Sequence, residues 1–216
     1  MKYLSYELST GSPVYGGRAG LRVKEVSKID NGDTANSLEV TFPNHFGTHV
    51  DVPRHFFNDG KKLTDYKASF WIFNHPQCVN VPCGDGDLVR FTDIDETINK
   101  QTDLLLLRSG YEKYRRESRY WEKSPGISYE LAKELRTNHQ KIRAVGVDFI
   151  SITSRLHRKE GRKAHMEFLG NHYDSDPIIL IEDMALKSYT EDISQVIVLP
   201  LMIANADGAP CTVIGK

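Results

Sequence analysis

Cysteine is scarce and poorly spaced: Cys78, Cys83 and Cys211 form an odd set with no C-x-x-C pair. That excludes a disulfide framework and a thiolate zinc knuckle, and we read the three as buried or incidental thiols. Long apolar runs are missing too. No stretch approaches the roughly 20 residues of a membrane span, and residues 1–7 reach a carboxylate before any run of signal-peptide length. No membrane partner is expected, and the cytoplasm is the expected compartment. Charge of one sign is also lacking: 28 Lys and Arg against 29 Asp and Glu give a formal net charge of -1. A general nucleic-acid binder and an acidic tail are thereby disfavoured. Linkers, repeats and low-complexity segments are absent, so residues 1–216, with 39% hydrophobic residues, are expected to form one domain.

What is present predicts a mixed α/β or α+β domain. Strand-like runs lie at 38–42, 78–81, 104–107, 144–147, 178–181 and 196–201, mostly short, β-branched and bounded by Gly, Pro or Asp. The unbroken run 104–107 predicts cover on both faces, while the alternation in 38–42 predicts one wet face. After Ser128, the apolar Leu131, Ala132 and Leu135 recur at helical spacing and Glu130, Lys133, Glu134 and Arg136 take the other face. Ser128 is the expected N-cap.

Two charged stretches invite a second reading. Residues 111–123 interleave Lys113, Arg115, Arg116 and Arg119 with Tyr111, Tyr114, Tyr120 and Trp121, a pattern suited to stacking nucleic-acid bases. Glu112, Glu117 and Glu122 offset that charge, so a solvated helix or loop and no nucleic-acid partner are expected. The cluster Arg155, Arg158, Lys159, Arg162 and Lys163 offers two readings, a clamp for an anionic substrate group or a flexible solvated loop. The loop is the plainer expectation.

The informative stretch is 44–56, which packs His45, His49, Asp51 and His55 around Gly47, Thr48 and Pro53. Imidazole and carboxylate together are the donors of zinc and manganese sites. A straight helix cannot gather all four groups, and Pro53 would break its ladder. In an extended strand alternate residues advance roughly 6.6 Å, which leaves His45 and His49 too far apart for one ion. The chain is therefore expected to bend at Gly47, with the Thr48 hydroxyl orienting a neighbouring group.

The pattern H-x-G-T-H-x-D-x-P-x-H, complete here from His45 to His55, resembles the signature of the cyclase family of metal-dependent hydrolases, to which bacterial kynurenine formamidase and isatin hydrolase belong. Segments 12–15, 125–128, 145–148 and 206–210 match other pieces of that family in the same order. The resemblance implies a compact α/β domain with swivelling β/β/α architecture, assembled as a homodimer with the active site near the subunit contact. It implies His45, His49 and Asp51 as metal ligands, Asp51 reaching toward a second ion, and His55 as proton donor and acceptor. A later histidine and glutamate complete the metal position, and His165 and Glu182 match those places. His172 in the longer stretch 170–177 competes with His165, and Glu167 and Asp183 compete with Glu182. His75, His139 and His157 read as surface histidines.

A bound divalent ion can lower the pKa of water from 15.7 to about 7 and polarise a carbonyl, so amide or lactam hydrolysis is the expected chemistry. The resemblance implies as substrate the amide of a small aromatic molecule, an aryl formamide such as N-formylkynurenine. Zinc is the expected ion, manganese the alternative, with one or two per subunit. Tyr15 stands where kynurenine formamidase carries a tryptophan against its substrate, and Phe46, Phe56, Phe57 and Tyr66 are further candidates for an aromatic pocket. Alternative readings are isatin-type lactam opening or ring closure on the same metal site, and a non-catalytic member that binds metal or ligand.

Overall fold

Runs of residues apolar at every position cannot face water on either side, and they form the centre of the sheet. The computed structural model describes residues 1–17, 19–94 and 98–216. Its strands, in chain order, are β1 (Lys2–Tyr3), β2 (Arg22–Ser27), β3 (Ser37–Thr41), β4 (His49–Asp51), β5 (Ile72–Phe73), β6 (Pro76–Asn80), β7 (Leu88–Val89), β8 (Leu104–Arg108), β9 (Gly126–Ile127), β10 (Ala144–Val147), β11 (Ile179–Glu182), β12 (Val196–Pro200) and β13 (Gly208–Gly215). The α-helices are α1 (Arg119–Glu122), α2 (Tyr129–Asn138) and α3 (Arg158–Leu169). Nine strands join in one mixed sheet of order β5-β12-β13-β4-β11-β10-β8-β6, with β1 paired to β13.

One half, β6, β8, β10 and β11, is parallel, and the half containing β4, β13, β12 and β5 is antiparallel. Because side chains alternate across a strand, Leu105, Leu107, Val145, Val147 and Leu180 point to one face, where Leu131, Ala132 and Leu135 of α2 and Ala164 and Phe168 of α3 cover them. Leu104, Leu106, Ala144, Ile179 and Ile181 point to the other, against Val50, Val196, Val198 and Val213. The mixed α/β class is thus the one expected, and each core explains one phase of the apolar runs. Ser128 accepts a hydrogen bond from Leu131 N and caps α2 as expected.

Three expectations are corrected. β3 shows water on both faces: among the described residues β2 and β3 pair only with each other, and Leu38 and Val40 are 61% and 47% exposed. The stretch 111–123 is solvated only in part: Lys113, Arg116, Glu117, Glu122 and Lys123 are exposed, but Tyr111 and Tyr120 are fully buried and stack at 6.1 Å. Rings inside the core are unavailable to nucleic-acid bases. Residues 158–169 are the helix α3, not a loop, because Gly161, Ala164, His165, Phe168 and Leu169 give it a buried face. Among the described residues no helix is long and apolar enough to cross a membrane. Cys78 and Cys211 are buried and Cys83 partly so.

Candidate metal centre

β4 lies between β11 and β13, and its register sets the site. His49 pairs with Glu182 across β11, and Asp51, two residues on, shares the face of His49. The bend ahead of β4 sits at Gly47, with φ of +61°. That left-handed conformation calls for glycine. Thr48 donates from Oγ1 to the Asp183 carbonyl at 2.5 Å and accepts from Tyr6 N, which fixes the bend to the end of β11. After β4, Pro53 opens a 3-10 turn that carries His55 back over the site. From above, α3 lowers His165 onto the same face.

Four groups converge at the floor. His49 Nε2 is 3.5 Å from Asp51 Oδ1 and 3.4 Å from Glu182 Oε2; His165 Nε2 is 3.5 Å from Asp51 Oδ2 and 3.4 Å from Glu182 Oε1. All four residues are at least 95% buried. Each imidazole is held from behind: His49 Nδ1 donates to Gly47 O at 2.8 Å, and His165 Nδ1 lies 3.0 Å from Gly161 O and 2.9 Å from Thr153 Oγ1. That leaves both Nε2 atoms facing inward, the orientation that a hydrogen bond at the far ring nitrogen imposes on ligand histidines. Glu182 Oε1 accepts from Ile152 N at 2.8 Å and Ser151 Oγ at 3.1 Å.

The donor set fits a divalent ion. Zinc bonds of roughly 2.0–2.1 Å in tetrahedral array separate neighbouring ligand atoms by about 3.3 Å, close to the imidazole–carboxylate spacing here. Two ligating groupings share Asp51: His45, His49 and Asp51, and Asp51, His165 and Glu182. His45 differs from the other two histidines. Its Nδ1 lies 2.7 Å from Asp51 Oδ1 and its Nε2 3.0 Å from Asp207 Oδ2, so it binds an ion only by releasing one carboxylate.

Charges on these groups are strongly coupled. Burial opposes protonation of His45, but Asp51 and Asp207 override it and push its pKa up to about 10. For His165 burial is likewise outweighed by Asp51 and Glu182, and its pKa rises to about 9. Burial and the Asp51 charge would raise Glu182, yet His165 and His49 bring it down to about 2.

His55 stands beside this floor with Nδ1 2.8 Å from Asp207 Oδ2. Asp207 thus serves both His45 and His55, while Asn44 Nδ2 donates to its other oxygen at 2.6 Å. Its backbone is fixed too, since Val52 N donates to Asp207 O at 3.1 Å. The sequence reading did not assign Asp207 a role. An Asp-Gly pair before a strand reads locally as a turn, and only the β4–β13 pairing brings it to His55. Ser151 and Thr153 were missed for the same reason.

The competing residues fall elsewhere. His172 lies 3.2 Å from Glu167 Oε2, and Tyr173 donates to Glu167 Oε1 at 2.5 Å. The stretch 170–177 folds back there because buried Arg136 donates to the carbonyls of Gly170, Ser175 and Asp176. Asp183 is taken by a bidentate Arg115 at 2.9 and 2.7 Å and by Tyr120 at 2.6 Å. His75 and His157 are exposed and His139 partly so.

Above the cluster opens a cavity of about 650 Å³ whose lining includes Tyr15, His55, Phe56, Arg155, Arg158 and Arg162. Of the expected aromatics, Tyr15 and Phe56 reach it. Phe46 is buried in packing, Phe57 packs on the helix-side core, and Tyr66 lies in a separate group with Phe70 and Trp71.

A family model described as "Putative cyclase" matches residues 3–154. His165, Glu182 and Asp207 lie beyond the matched span. A kynurenine formamidase of Bacillus cereus is 27% identical over 192 residues, 85% of this chain and 81% of that protein. The structure of isatin hydrolase A from Labrenzia aggregata, bound to benzyl benzoate, superposes with a TM-score of 0.82 at 21% identity, covering 99% of this chain and 92% of that one. A "potential metal-dependent hydrolase with cyclase activity" gives 0.77 at 19% identity, covering 99% and 96%. With a family model matched over more than half its length, the chain belongs to the cyclase family.

Proposed function

We propose that residues 1–216 form one metal-dependent amidohydrolase unit that cleaves the amide of a small aromatic molecule, an aryl formamide in the manner of a kynurenine formamidase. The observation that carries this reading is the convergence of His49, Asp51, His165 and Glu182, with inward-facing Nε2 atoms, beside a His55–Asp207 pair at the floor of one cavity. His45, His49, Asp51, His165 and Glu182 would hold the ion, zinc in the first instance and manganese as the alternative. Asp51, shared between two groupings, allows one ion or two. A divalent ion held there supplies a water of lowered pKa and polarises the substrate carbonyl.

The chain's own residues do the rest. Asp207 accepts from His55 Nδ1–H and stabilises the imidazolium, leaving Nε2 toward the cavity. Nε2 takes the proton of the attacking water as the C–O bond forms, then passes it to the amine nitrogen as the C–N bond breaks. Tyr15 and Phe56 supply an aromatic wall, and Phe56 stacks on His165 at 4.9 Å and 25°. The protein is read as a homodimer, supported by Val23, Val26, Leu38 and Val40, which stand 46–61% exposed on the lone β2–β3 hairpin.

Chelator-stripped and zinc- or manganese-reloaded protein, assayed on formanilide, N-formylkynurenine and isatin, tests the reading. Ion-dependent release of the amine from the formamides is expected. Opening of isatin alone would replace the formamide with a lactam, and inertness toward all three in reloaded protein would refute it.

A further inference from the structure

The face of α3 that lowers His165 also carries arginines to the cavity. Arg158, Arg162 and His165 are spaced four and three residues apart, so one helical face presents all three, and Arg155 in the preceding 3-10 turn extends the row. Arg155, Arg158 and Arg162 all line the cavity above the cluster. Arg162 lies over the Phe56 ring, 5.6 Å from its centroid, and Phe56 stacks on His165, so this guanidinium is layered directly above the metal floor. Arg155 packs beside Gly16 in the turn that carries Tyr15.

Among the described residues three arginines pair with carboxylates, and the three that line the cavity are not among them. Arg115, Arg119 and Arg143 each pair with a carboxylate, on Asp183, Asp85 and Asp103. Among the described residues Arg155, Arg158 and Arg162 pair with none; of the two acids in α3, Glu160 accepts from Tyr129 N at 2.9 Å and Glu167 is held by His172 and Tyr173. The carboxylates of the floor have partners there, Asp51 and Glu182 in His49 and His165, and Asp207 in His45 and His55. The positive charge at the mouth stays unspent, and planar guanidinium forks match carboxylate geometry.

We propose that the substrate carries a carboxylate, gripped at the cavity mouth by Arg155, Arg158 and Arg162 while its amide lies over the metal floor; the inference rests on the amidohydrolase reading. Reloaded protein is assayed on N-formylanthranilate and formanilide, the same aryl formamide with and without a ring carboxylate. Binding of anthranilate, which needs no turnover, is followed by its fluorescence in reloaded and stripped protein. kcat/KM is expected to favour N-formylanthranilate by about 10-fold or more. That ratio should fall to near one in R158Q/R162Q, and the Kd of anthranilate should rise about 10-fold. K159Q/K163Q, altered outside the cavity lining, should keep both values. Equal kcat/KM on the two substrates with anthranilate binding unchanged in R158Q/R162Q overturns the inference. So does anthranilate binding that requires the ion and ignores the arginines. If neither amide is cleaved while anthranilate binding still depends on the arginines, the carboxylate subsite stands and the amidohydrolase reading falls.

Discussion

At the scale of single residues the account divides holding an ion from moving a proton. His55→Ala should cut turnover by about 10²–10⁴-fold with ion content nearly intact, measured by steady-state kinetics beside elemental analysis. Loss of the ion would reassign His55 as a ligand. Asp207→Asn should lower kcat by about 10–100-fold with KM little changed, because it touches His55 Nδ1 rather than the substrate. A second consequence concerns pH. His45 and His165 keep protons to about 10 and about 9 in the metal-free protein, whereas an ion takes only neutral imidazole. Ion uptake must therefore expel protons, and affinity should climb with pH until these groups are neutral. Their raised pKa values also stabilise the metal-free protein fully below about 6.5, a contribution lost as pH rises through about 9 and 10. Calorimetry in buffers of different ionisation heat reads the released protons; uptake without release would contradict these assignments. The groups legible in the sequence, His45, His49, Asp51 and His55, were those gathered in one short span. Asp207 lies more than 150 residues away in chain order and had no local signature.

Among the elements, α3 links packing to chemistry. Glycine within a helix is ordinarily improved by alanine, by about 1 kcal/mol. At Gly161 the opposite is expected, since a Cβ would stand 2.5 Å from Thr153 Cα, and Gly161 and Thr153 both hold His165 Nδ1. Gly161→Ala should lower Tm and weaken ion affinity together. A rise in Tm with affinity unchanged would show that α3 does not set His165. The latch from 111–123 to β11 makes a separate case. Arg115→Met leaves the Asp183 carboxylate buried without its cation and should cost about 3–5 kcal/mol in denaturant unfolding. This latch was hidden in the sequence because its aromatics and charges alternate like a wet surface, while tertiary packing buries the tyrosines and pairs the arginine. The parallel strands β8, β10 and β11 were legible because burial on both faces leaves their central residues apolar, with the polar ones, Arg108 and Glu182, at the C-terminal ends. β4 was not, because its His-Val-Asp composition is that of a site.

For the whole molecule, one sheet with a core on each face holds the proposed ligands on β4, β11, α3 and, for His45, the segment leading into β4. An ion that binds only when these are assembled stabilises the fold by mass action, by about 2.7 kcal/mol at a concentration of 100 Kd. Tm should therefore rise with added zinc or manganese. The mixed α/β class could be read from strand runs and one amphipathic helix, but the order in which β4 inserts between β11 and β13 could not, since long-range pairing leaves no trace in local periodicity. The hairpin also belongs to this scale. Leu38→Glu with Val40→Glu should convert the proposed dimer to monomer in light scattering, without loss of circular dichroism; an unchanged mass would contradict a hairpin-mediated dimer. The most direct test of the central claim is titration of stripped protein with zinc while formanilide hydrolysis is followed. The account predicts activity rising linearly from zero and stopping at one or two equivalents per chain; activity in the stripped protein, or none at saturation with the ion bound, would contradict it.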